Sequence, residues 1–159
     1  MKSARIAYIA VLGALSVVFG YIESLFPFPV AIPGVKLGIS NIVVLFALLK
    51  MNKSDAFFVL IIKVLVCSLL FSGMNGFFYS VSGGILSFLA MISALQFDLS
   101  EIGASMAGGV FHNVGQILAA AVILRSLSAF YYLPVLLLSG IIVGGIVGIL
   151  CKTIIARLK

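Results

Sequence analysis

The densest chemistry in this 159-residue chain is the run GGVFHNVGQ, where Gly108, His112 and Gln116 recur at four-residue intervals and Ser105 precedes them by about one turn. On a helix this spacing gathers Ser105, His112 and Gln116 on one face, with Asn113 at its border. An imidazole and two carboxamides donate and accept hydrogen bonds, which suits recognition of a polar group. Lys63, enclosed by IIKVL, adds a cation in an otherwise apolar stretch. Lys63, His112, Asn113 and Gln116 are therefore read as a substrate-binding set, because four strongly polar side chains near one membrane depth exceed what helix packing requires. Asn41, Ser80 and Ser87 are secondary candidates. For any single serine the competing reading is an interhelical hydrogen bond worth about 0.6 to 2 kcal/mol. For Lys63 it is an ammonium that snorkels toward the inner surface.

Other chemistries lack parts. One histidine, with no carboxylate expected at its depth and with Cys67 and Cys151 far apart in sequence, does not supply the three or four ligands of a metal site. The four carboxylates, Glu23, Asp55, Asp98 and Glu101, are assigned to span ends and connections, so no pair meets inside the membrane for acid–base work. No GxxxxGK[ST] loop is present to cradle nucleotide phosphates. The expectation is a non-enzyme without metal or cofactor, drawing any transport energy from a partner or an ion gradient.

The elements that position these groups follow from composition. Hydrophobic residues make up 64% of the chain and charged residues 9%, against about 25% charged in soluble domains. That excludes a water-soluble enzyme with a polar shell and predicts an all-helical integral membrane protein. At about 20 residues per crossing the length allows about six spans in one domain, residues 1–159. The apolar runs fall at 4–22, 37–49, 56–71, 77–95, 102–124 and 135–150. Between the first two, SLFPFPVAIPGVK carries three prolines and is predicted to be a loop. The first apolar run is too long for a signal peptide, and no small-residue cleavage site follows it.

The net charge of +6 sorts by topology, which removes nucleic acid as a partner. Lys2, Arg5, Lys50, Lys53, Lys152, Arg157 and Lys159 fall on one predicted side, and Lys36 and Arg125 on the other. Both termini are thus expected in the cytoplasm of a multi-pass cell-membrane protein, with the proline-rich loop outside. Two small-residue strips stand out: Ala10 and Ala14 in the first span, and Gly140, Gly144 and Gly148 in the sixth. Each suits either close packing inside the bundle or contact with a partner.

PGVKLGISNIVVLFALL, SGGILSFLAM and GGVFHNVGQILAAA resemble stretches of the Gx transporter family, whose members are often described as component I of heptaprenyl diphosphate synthase. More distantly, the layout is similar to the substrate-binding S components of energy-coupling factor transporters. The second resemblance implies a six-helix membrane subunit that binds a small cofactor-like or amphipathic solute beneath the loop at 24–34. It also implies an energy-coupling membrane subunit and ATPases as partners, with Ala10 and Ala14 as the contact. The synthase description implies instead an accessory membrane component of isoprenoid or quinone synthesis, since the chain has no DDxxD motif to bridge magnesium to a diphosphate.

Overall fold

A computed structural model describes residues 2–25, 38–71 and 73–158, the side chains of Lys2 and Asn75 excepted. Of the proline-rich segment predicted to be a loop, Ser24 and Leu25 are helical, and the rest, with Lys36, falls within residues 26–37, outside the described residues. The described residues are helical throughout, joined by short turns. They form α1 (Lys2–Leu25), α2 (Asn41–Lys50), α3 (Lys53–Phe71), α4 (Gly73–Gln96), α5 (Glu101–Leu124) and α6 (Leu133–Arg157), with a 3₁₀ turn at Leu127–Tyr132 before α6.

The expected count of six spans needs correction. Five of the described helices are long and apolar enough to cross a membrane, whereas α2 has 10 residues. At 1.5 Å per residue α2 reaches about 15 Å, half of a hydrocarbon core about 30 Å thick. Its start is set by Gly38, whose φ of +85° turns the chain into the helix and suits a residue without Cβ. At its other end Met51 is extended, and α3 begins two residues later with Asp55 in its first turn. α5 starts where the Ser100 side chain accepts from the Gly103 N–H at 3.2 Å. It stops at Arg125, which adopts a left-handed conformation.

The bundle is apolar outside and polar within. Leu69, Val122 and Leu127 are 80%, 77% and 77% exposed, as lipid-facing side chains would be, while Ser16, Glu23, Asn41, Lys63, Ser87, His112, Asn113 and Gln116 are buried. α5 sits between α4 and α6. Its contact with α6 uses Gly109 against Gly140, the Ser105 backbone against Gly144, and Ile102 against Gly148. The sixth-span glycine strip is thus consumed inside the bundle. α1 runs alongside α3, with Gly13 against Ile62 and Gly20 against Cys67. Ala10 and Ala14 remain exposed on another face of α1.

At one end of the bundle the starts of α1 and α3 meet the ends of α2 and α6 around a shared hollow containing Arg5, Lys50, Asp55 and Leu158. Arg5 donates through Nε to both oxygens of Asp55 at 2.8 and 2.9 Å, and through Nη2 to one of them. Lys53 begins α3, and Lys152 and Arg157 lie in the last turns of α6, so this end is strongly basic. Arg125 lies at the opposite end of α5.

Candidate functional site

The short α2 opens at the centre of the bundle, and that is what assembles the site. Glu23, near the end of α1, turns its carboxylate onto the residues leading into α2. It accepts from the backbone N–H of Gly38, of Ile39 at 3.3 Å and of Ser40 at 3.5 Å, and from the Ser40 hydroxyl at 3.0 Å. A carboxylate is favoured there because the N–H groups at a helix start have no intrahelical partner and the helix dipole is positive at that end. Glu23 is 5% exposed.

One residue into α2, Asn41 bridges two further helices. Its Oδ1 accepts from the Lys63 ammonium of α3 at 2.5 Å, and its Nδ2 lies 3.4 Å from the Ser87 hydroxyl of α4. Lys63 is 6% exposed, so its charge is held inside the bundle. From α5, Gln116 Nε2 lies 3.1 Å from His112 Nε2. The imidazole and the carboxamide, one helical turn apart, are thus within hydrogen-bond reach of each other. Gly83 of α4 lets the helices close on this pair: a Cβ there would lie 2.8 Å from the His112 carbonyl oxygen and 3.0 Å from Nδ1. Gly83→Ala is therefore expected to destabilise the bundle by about 1–3 kcal/mol without removing a polar group. The check is a lower temperature for loss of monodisperse protein in detergent.

Glu23, Ser40, Lys63, Ser80 and His112, with Gly20, Val64 and Cys67, line one small cavity of about 20 Å³. That is room for about one water molecule. A second void of about 10 Å³ lies between Asn41, Ser105, Gly108 and α6. Of the residues singled out by sequence, Lys63, His112, Gln116, Asn41, Ser80 and Ser87 are thus brought to one centre. Asn113 faces elsewhere: its Nδ2 donates to the Leu136 carbonyl at 2.6 Å and approaches Ser139 Oγ at 3.4 Å, fastening α5 to α6. The reason is geometric, since a residue adjacent to His112 is rotated about 100° around the helix.

Sequence reasoning missed Glu23 and Ser40. The apolar pattern assigns Glu23 to the end of its span and no carboxylate to the depth of the histidine, whereas Glu23 lines the same cavity as His112. A signal existed: Gly13, Ser16, Gly20 and Glu23 follow one another at three- and four-residue steps, and all four are buried. Among the described residues, no group of three or more His, Cys, Asp or Glu side chains could hold a metal ion.

Five long apolar helices with a polar interior define a multi-pass helical membrane protein. The chain belongs to the heptaprenyl diphosphate synthase component I family, whose family model matches residues 12–154. This bears out the family resemblance read from the sequence. No curated protein and no solved structure matches the chain.

Proposed function

We propose that the chain is the solute-binding subunit of a membrane transporter and takes a small amphipathic or cofactor-like molecule with an anionic group. The observation that supports this is the convergence of Glu23, Asn41, Lys63, His112 and Gln116, from four helices, on one buried centre. Intramembrane ionisable groups are costly, and they commonly mark the path or site of a solute. A half-length helix whose positive end opens at that depth is a further arrangement that transporters use to hold an anionic group.

The centre has room for about one water, whereas drug-sized ligands occupy pockets of about 300–1,000 Å³. Loading therefore requires the end of α1 to withdraw from the start of α2. In this mechanism the anionic group of the solute displaces the Glu23 carboxylate from the Gly38–Ser40 N–H groups, and Lys63 supplies the countercharge. An energy-coupling membrane subunit, driven by ATPases, contacts the exposed Ala10 and Ala14 and drives release inward. In this reading the basic end of the bundle, with both termini, faces the cytoplasm across the cell membrane, as the bias of lysine and arginine toward cytoplasmic loops supports.

Asn113 enters this reading as a support that holds α5 against α6. His112→Ala and Gln116→Ala are each expected to weaken solute binding at least tenfold, the loss of about 1.4 kcal/mol, within the range for one hydrogen bond in a buried site. Both variants should remain folded in detergent. Unchanged affinity in both moves the site elsewhere.

A second reading has the family's description in its favour: an accessory membrane component I of heptaprenyl diphosphate synthase. Copurification with a soluble prenyl synthase, and stimulation of its chain elongation, would select that reading. Substrate-dependent uptake into vesicles would select transport.

A further inference from the structure

The basic end carries a second arrangement, separate from the buried centre and on a different face of α1. The open hollow there has a volume of about 750 Å³ and is bordered by Arg5, Tyr8, Lys50, Asn52 and Asp55. An apolar groove of about 280 Å³ adjoins it, bordered by Leu12, Leu15, Phe19, Ile42 and Ile154. The two are continuous, because Phe46 and Leu158 border both. On α1 the residues concerned, Tyr8, Leu12, Leu15 and Phe19, recur at three- and four-residue steps and form one stripe. Ala7, Ala10 and Ala14 lie on another side of the helix.

The dimensions and charge select an occupant. From Tyr8 to Phe19 the stripe rises about 16 Å, close to the half-thickness of a hydrocarbon core about 30 Å thick. Leu15 and Ile154 are each 44% exposed, so the groove opens sideways onto the apolar surface. At its head, the carboxylate of Asp55 is already engaged by Arg5. Lys50 is exposed and has no ion-pair partner among the described residues. We propose that this hollow and groove form a binding site for one anionic phospholipid of the leaflet at the basic end. Its headgroup phosphate lies by Lys50 and Arg5, and one acyl chain runs along α1 between α2 and α6. Basic pockets between helices near the membrane surface recognise anionic headgroups in this way.

The chain contains no tryptophan, which permits a direct test. Phe19→Trp places a single fluorophore in the groove, and Val122→Trp places one on open lipid-facing surface. Each variant is put into phosphatidylcholine nanodiscs containing a minor fraction of phosphatidylglycerol with brominated chains, or the same fraction of brominated phosphatidylcholine. The expected result is a preference of about fivefold for phosphatidylglycerol in quenching Phe19→Trp. Val122→Trp should show no preference, and adding Lys50→Gln to Phe19→Trp should abolish it. Leu15→Trp serves the same purpose if Phe19→Trp does not fold. Equal quenching by both lipids, or a preference that survives Lys50→Gln, overturns the proposal. So does displacement of the brominated lipid by a prenyl diphosphate at mole fractions where unbrominated phosphatidylglycerol fails, which would assign the groove to a single-chain diphosphate.

Discussion

Valine at position 109 is expected to prevent assembly of the bundle. A Cβ on Gly109 would lie 2.4 Å from the Gly140 carbonyl oxygen, and one on Gly140 would lie 2.9 Å from the Gly109 backbone. Both clashes are with main chain, so no rotamer change relieves them, and α5 and α6 must separate along their whole contact. The loss is at least about 3 kcal/mol, the upper end of ordinary overpacking. It also pulls apart the Asn113 bond to Leu136. Gly145→Val is the matched control on the same helix, since the nearest atom to its Cβ is the Met106 side chain at 3.9 Å. Chemical unfolding in micelles should show Gly109→Val and Gly140→Val strongly destabilised or unassembled and Gly145→Val close to the parent. Equal stability of all three would contradict the α5–α6 packing.

The second large effect concerns the buried charges. Glu23 and Lys63 carry opposite charges, line the same cavity, and are 5% and 6% exposed. Removing either withdraws a countercharge from the same cavity and leaves its own buried hydrogen-bond partners short, Gly38–Ser40 for Glu23 and Asn41 for Lys63, at a cost of about 1–3 kcal/mol. Glu23→Gln and Lys63→Met should therefore each destabilise strongly. The double variant should lose clearly less than the two single losses together, because no lone charge remains. Strict additivity would mean that the two charges do not sense each other. Glu23→Gln should also loosen the start of α2, seen as faster hydrogen exchange at Ile39 and Ser40, whereas Lys63→Met should leave those amides protected.

Much of this architecture was readable from residue types. Long apolar runs located the long helices, because a lipid environment leaves few alternatives for a backbone that must satisfy its own hydrogen bonds. The four-residue step puts His112 and Gln116 on one face of α5, where their side chains lie 3.1 Å apart. Lys63 was recognisable as costly, and the structure turns it inward to Asn41. What escaped was tertiary. The run at 37–49 looked like a shortened span, and only the turn at Gly38 reveals a helix that begins inside the bundle. Glu23 looked like a rim residue because it closes an apolar run, and nothing local shows that the α2 start folds back onto it. Nor did local pattern decide between the two small-residue strips: α5 covers the glycines of α6 and leaves Ala10 and Ala14 exposed.

If the polar centre holds a solute, mass spectrometry of the small molecules retained through gentle purification will find it. The comparison is the parent chain against Gln116→Ala, each shown to be folded and with phospholipids counted separately. An anionic small molecule is expected to accompany the parent and to be lost from the variant. Equal retention by both proteins, or no retained molecule other than phospholipid in either, would contradict this and leave the buried groups as packing alone.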